Sequence, residues 1–171
     1  MSDKNQKTAV SLPGVPGFDL ATGELLSKDH VEALVNYAFK YALDPYRSHV
    51  CLMYGKPYIT IDGYLFYARK LGKAYSLLSR PLDTKEAALY KIKETDHGWI
   101  AEVKFHDTGE VCTGLGIVTY EEMTAKSTKH PEQLRFPVVA SHPWQLGQKR
   151  AEWQALRRAF PIGKTEERKQ E

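Results

Sequence analysis

Cysteine is scarce: Cys51 and Cys112 are the 2 in the chain, far apart and outside any CxxC pair. That excludes a disulfide framework and argues against a zinc site, so both read as free buried thiols. Long apolar runs are missing as well. No stretch reaches the roughly 18 residues of a membrane helix, and "MSDKNQKTAV" lacks the apolar segment of a signal peptide. The expectation is a soluble, cytoplasmic protein with no membrane partner. Charge is nearly balanced: a net +3 permits a polyanionic partner without arguing for one, so the case rests on where the charge sits. There is no phosphate-binding glycine loop and no Ser-His-Asp pattern. His30, His49, His130 and His142 are scattered, and His97 and His106 flank one predicted strand on opposite faces. No metal set is therefore expected. "GLG" at Gly114 to Gly116 reads as a bulge or bend in a strand.

What is present is a globular composition, 42% hydrophobic and 26% charged over 171 residues, enough for one domain with a core. Residues 1–26, with "SLPGVPGFDLATG", read as a flexible N-terminal arm or strap. Val31, Leu34, Val35, Ala38 and Ala42 recur at helical spacing, with Ser27 or Asp29 as the cap and Pro45 as the stop. "HVCLMYGKPYITI" predicts a hairpin turning at Gly55–Lys56, and "DGYLFYARKLG" a helix closed by Gly72. "KAYSLLSRPL" is extended, and "TKEAALYKI" fits a short helix or a strand. "GWIAEVKFHDTGEVCTGLGIVTY" predicts a second hairpin turning at Asp107 to Gly109. "YEEMTAKS" is a short helix, "KHPEQLRFPVVASHP" a loop, and Pro143 opens a last helix. Helices and strands come in groups, which predicts an α+β fold with a small antiparallel sheet. The core is expected over 27–163, with a polar tail at 164–171.

The last helix, "SHPWQLGQKRAEWQALRRAF", carries the chemistry. At 100° per residue, Ala151, Ala155 and Ala159 form a narrow stripe suited to close contact. Leu146, Trp153, Leu156 and Phe160 form an adjoining bulky stripe, and together they predict a broad buried face. Arg150, Arg157 and Arg158 fall on the remaining arc around Gln154, and Lys149 borders Trp153. No nearby acid falls on that arc, so its positive field is expected to be uncancelled. Arg150 and Arg157 are roughly 10 Å apart along the axis, and such a row suits the phosphates of a strand lying along the helix, because a guanidinium grips phosphate bidentately.

Taken in order, "LDPYRSHVCLMYGKPYITIDGYLFYARKLG" and "SHPWQLGQKRAEWQALRRAFP" resemble the RecT / Red beta family of phage single-strand annealing proteins. The matching elements are Leu43-Asp44-Pro45, the hairpin, Asp62-Gly63, the strand pair within 99–120, Ser141-His142-Pro143, and Leu156-Arg157-Arg158-Ala159-Phe160. The resemblance runs over roughly residues 29–163. It implies an annealing-protein-like core that binds single-stranded DNA and the nascent duplex and pairs complementary strands without ATP, as a homo-oligomeric ring or helical filament. It implies no catalytic group and no cofactor. A phage exonuclease and a host single-strand-binding protein are further partners in the family. Its DNA-contacting basic positions fall on Arg150 and Arg157, with Lys149 and Arg158 beside them.

Further candidates for the DNA backbone are Arg47, Lys56 at the predicted hairpin tip, Arg69 and Lys70. Tyr54, Tyr58, Tyr64 and Tyr67 could stack bases, although at least two are expected in the core. The alternative is an enzyme. Asp96 with Glu102-Val103-Lys104 resembles the D…ExK pattern of Mg²⁺-dependent nucleases, in which two carboxylates hold the ion. A cross-strand ion pair on an exposed strand face is the plainer reading of Glu102 and Lys104.

Overall fold

A serine opens the first helix. Ser27 Oγ accepts from the His30 N–H and caps α1 (Lys28–Lys40), which buries Val31, Leu34 and Ala38 against β1 (Val50–Met53). The chain then turns through Ala42, at φ 51°, into a 3₁₀ turn at Pro45–Arg47. β1 pairs antiparallel with β2 (Lys56–Ile59), and Thr60 caps α2 (Ile61–Lys70). Met53 lies opposite Lys56, so the hairpin loop is Tyr54–Gly55, one residue upstream of the expected turn. Both loop residues have positive φ, 53° and 68°, the geometry whose twist matches the flanking strands. Lys56 is thus an exposed strand residue beside the tip.

The computed structural model describes residues 17–128 and 130–163. They form two compact units, 17–71 with 162–163, and 72–161, where one core over 27–163 was expected. The expected tail, 164–171, and residues 1–16 of the expected arm lie outside the described residues.

In the first unit, residues 17–26 are folded onto the hairpin. Phe18 bridges Leu25, and Leu20 N–H donates to the Leu52 carbonyl. The anchor is Asp19, buried at 4% exposure. Its carboxylate accepts from the N–H groups of Ala21 (2.8 Å), Thr22 (3.1 Å), Tyr54 (3.1 Å) and Gly55 (2.7 Å). Burial alone would raise its pKa. The hydrogen bonds from Gly55, Ala21, Thr22 and Tyr54 outweigh burial and hold it below the ordinary carboxylate value.

Among the described residues of this unit His49 is the other buried polar group, at 6% exposure. Its ring lies 4.5 Å from that of Phe66, and Nδ1 accepts from the Asp44 N–H at 3.1 Å, which fixes the neutral Nε2–H tautomer. Burial pushes its pKa below 6.5, and Arg47 pushes the same way, against the opposing pull of Asp44 and Asp62. Below pH 6.5 the unfolded chain therefore binds a proton that the folded one refuses. His49 stabilises fully above that pH, and its contribution is lost as pH falls from 6.5 through the folded pKa. Denaturation midpoints taken at about pH 7.5 and about pH 5.5 should drop in acid for the native chain and drop less for His49→Gln. Equal drops in both would contradict the assignment.

The second unit is a three-stranded antiparallel sheet, in the order β3-β4-β5, under one long helix. Its elements are β3 (Tyr75–Pro81), α3 (Thr84–Leu89), β4 (His97–Phe105), β5 (Val111–Val118), α4 (Tyr120–Thr124), α5 (Pro137–Ser141) and α6 (Pro143–Ala159). α5 lies in what was expected to be loop. The fold class is α+β, with two small antiparallel sheets and six helices among the described residues. Ala101, Val103, Phe105 and Val118 point to one face of the sheet and are buried with Ala151, Ala155 and Leu156 of α6 and with Phe160 just after it. Among the described residues no helix is long and apolar enough to cross a membrane. Neither cysteine is in a disulfide; Cys51 is buried and Cys112 half-buried.

Gly114 and Gly116 are not a bulge, because the β4–β5 register runs unbroken from His97↔Val118 to Lys104↔Val111. They are where the helix backbone touches the sheet. A β-carbon on Gly114 would overlap the Ala151 carbonyl and the Ala155 nitrogen, and one on Gly116 the Gly147 carbonyl and the Ala151 nitrogen. Ala151 and Ala155 of the small-residue stripe predicted on α6 are therefore in close contact with the sheet, and Gly147, over which Trp99 packs, extends that contact.

Candidate nucleic-acid interface

Three side chains of α6 reach past the sheet to the outer edge of β5. Arg150 Nη1 donates to the Ile117 carbonyl (2.6 Å), Gln154 Oε1 accepts from the Leu115 N–H (2.6 Å), and Arg158 Nη1 donates to the Thr113 carbonyl (2.7 Å). The spacing explains the match. Four residues of helix rise about 6 Å and two residues of strand about 6.8 Å. Residues 150, 154 and 158 thus keep step with 117, 115 and 113 as helix and strand run in opposite directions. On the opposite flank, Ser79 Oγ donates to Glu152 Oε1 (2.6 Å), and Gln148 Nε2 donates to both. α6 is pinned by polar contacts at both edges of the sheet.

This rotates the helix relative to the expected arc. Gly147, Ala151 and Ala155 form the centre of the buried face, with Leu156 and Phe160 also buried. Leu146 and Trp153, assigned to that face from their size, are only half-buried, as is Ala159. The basic row divides accordingly. Arg157 sits with its guanidinium carbon 5.2 Å from the centre of the Trp153 ring, one turn back. Arg158 and Lys149 are exposed. Arg158 meets a carbonyl, which orients a guanidinium without neutralising it.

Arg150 is different. The Glu122 carboxylate grips it bidentately, one oxygen on Nη1 at 2.8 Å and the other in close contact with Nη2. The expected uncancelled field is therefore corrected at this position, because the cancelling acid comes from α4, 28 residues upstream. Thr119 fixes Glu122 there by accepting its N–H at 3.1 Å in the first turn of α4.

Arg150, Gln154 and Arg158 form one wall of an open groove of ≈ 490 Å³. Gly114, Leu115, Ile117 and Ile100 line its floor, and Tyr90, 45% exposed, stands at its rim. Sequence pattern alone points to neither Tyr90 nor Glu122. The one local signal was the alternation of Thr113, Leu115 and Ile117 against the two glycines, which marks a strand with one face turned away from the helix.

The remaining candidates lie elsewhere. Lys56, Arg69 and Lys70 are exposed residues of the first unit, and Arg47 pairs with Asp44 at 3.4 Å. Among the tyrosines, Tyr64 is buried, Tyr58 and Tyr67 are half-buried, and Tyr54 is 68% exposed at the hairpin tip.

The nuclease-like pattern does not converge. Asp96 precedes β4 and accepts from the Tyr120 N–H at 2.8 Å, and Glu102 is six residues further along, about 20 Å away at strand rise. Glu102 and Lys104 share an exposed face, opposite Thr113 and Val111. Among the described residues no group of three or more His, Cys, Asp or Glu is placed to hold a metal ion. His97 packs against Trp144, ring centres 4.6 Å apart, and His142 precedes α6 without capping it through its side chain. No protein family, no curated protein and no solved structure matches the chain.

Proposed function

We propose that this protein binds single-stranded DNA through the sugar-phosphate backbone and pairs complementary strands without ATP, acting as a homo-oligomer. The observation that carries the reading is the concentration of Lys149, Arg157 and Arg158 on one helix, Arg158 lining an open groove with an apolar floor. The Arg158 guanidinium, held by a carbonyl, keeps its charge and is already oriented, which lowers the cost of gripping a phosphate. Tyr90, Leu115 and Ile117 offer a surface that bases can contact without hydrogen-bond readout, so binding is sequence-tolerant. Strand pairing needs no nucleophile. It needs one strand with its charge neutralised and its base edges open to a second. The resemblance to annealing proteins, carried by the ordered motifs above, supports the same reading. Lys56 and Arg69 of the first unit are further backbone contacts in this scheme.

The test is an annealing assay with dye-labelled complementary oligonucleotides, without ATP and with or without Mg²⁺. Duplex should form faster than it does spontaneously, and the DNA should stay intact. Arg157→Ala and Arg158→Ala should each weaken binding and make the slope of log K against log salt shallower by about 0.7. Unchanged affinity and slope in both would remove the groove from the account, and Mg²⁺-dependent cutting lost in Glu102→Ala would replace annealing with nuclease chemistry.

A further inference from the structure

We infer that Glu122 is an internal counter-ion that withholds Arg150 from the DNA backbone and so sets the affinity of the groove for a single strand; this rests on the strand-binding reading above. The geometry carries it. A guanidinium recognises a phosphate by presenting two parallel N–H groups to two oxygens, and a carboxylate is recognised in the same way. On Arg150 both terminal nitrogens are engaged by the two oxygens of Glu122, and Nη1 also donates to the Ile117 carbonyl. The bidentate face is occupied, so a phosphate can use it only by displacing the carboxylate.

The pair is nevertheless within reach. The side chains of Arg150 and Glu122 are 37% and 25% exposed, and Arg150 lines the groove. Arg158, two turns along and aligned on the same strand edge, meets only a carbonyl and presents its full charge. Among the described residues lining the groove, Arg158 is a live cation and Arg150 a masked one, about 12 Å apart along the helix. That spacing is near two phosphate steps of an extended strand, so unmasking Arg150 adds a contact in line with the first. Glu122 is well placed for this role because the cap from Thr119 fixes its backbone while its side chain alone spans to α6.

The experiment is a titration of a dye-labelled oligo-dT strand over a salt series. It compares the native chain, Glu122→Gln, Arg150→Ala and the double variant, with a melting curve for each. Glu122→Gln should bind about fivefold more tightly at low salt, with a slope steeper by about 0.7. Arg150→Ala should bind no more tightly than the native chain, and the double variant should lose the gain. If Glu122→Gln melts far below the native chain, Glu122→Asp takes its place and should show a smaller gain, because it keeps the charge but draws it back from Arg150 by one methylene. Native melting with unchanged or weaker binding would overturn the inference and leave Glu122 a structural pin between α4 and α6. So would a double variant that keeps the gain. A native chain that binds no strand at low salt fails the underlying reading, a result distinct from either.

Discussion

Gly116→Ala should lower the stability of the 72–161 unit by about 3 kcal/mol or more. The added methyl has nowhere to go. Its neighbours are the Gly147 carbonyl oxygen and the Ala151 nitrogen, backbone atoms of α6 that move only if the helix lifts from the sheet. Lifting it would open the contact over Ala101, Val103 and Ala155, all at 0% exposure. It would also pull Arg150, Gln154 and Arg158 off the β5 edge. For a unit of this size the loss corresponds to a fall in melting temperature on the order of 15 °C. Gly114→Ala should behave alike, since its methyl meets the backbone of Ala151 and Ala155. Gln145→Ala, an exposed site on the same helix, should leave melting within about 2 °C and serves as the control. A Gly116→Ala chain that melts normally would mean that α6 does not lie against β5 as described.

The second large effect is expected at Asp19. Asp19→Ala should cost about 3 kcal/mol, because hydrogen bonds to a charged acceptor are worth about 1.5–3 kcal/mol and four backbone donors lose theirs together. Part of that loss falls on Tyr54, a non-glycine residue held at φ 53° and stabilised there by its bond to the carboxylate. The pH dependence has a definite sign. Asp19 has a folded pKa below its ordinary 3.8, so its stabilisation is complete above that value and is lost as pH falls through the folded pKa. Asp19→Asn keeps the shape without the charge, so its unfolding midpoint should respond less to acid below about pH 4. Equal acid sensitivity in native and Asp19→Asn chains would show that the four bonds do not hold the charge.

Much of the fold could be read from local pattern. The Ser27 cap, the turn at Asp107 to Gly109, the opening of α6 at Pro143 and its stripe of small residues depend on neighbours within a few positions. α3, whose sequence fits helix or strand, is local in the same way. Asp83 and Glu86, three apart, form a reciprocal capping box, a signal that would have decided it for helix. The folding-back of residues 17–26 was also signalled, because Asp19 followed by Thr22-Gly23 is turn chemistry. The rotation of α6 was not. Projection by size placed Trp153 and Leu146 inward, whereas the sheet edges select Gln148, Glu152, Gln154 and both flanking arginines. Those contacts join residues from 33 to 73 positions apart, and no window of sequence contains both ends. Glu122 was hidden for the same reason. An ion pair across 28 residues depends on where β5 ends, which the hairpin register decides.

The three α6 side chains on β5 amount to a surrogate neighbour for a strand that would otherwise end the sheet bare. An uncovered border of this kind invites another chain to add itself, and then another, which is how cross-β deposits begin. Amide and guanidinium groups satisfy alternate backbone positions without contributing any backbone of their own, so they stop growth where a true fourth strand would only pass the problem outward. Losing Arg150 and Arg158 together would leave that border open, and the cost would be seen as a chain that clumps at high concentration before it unfolds.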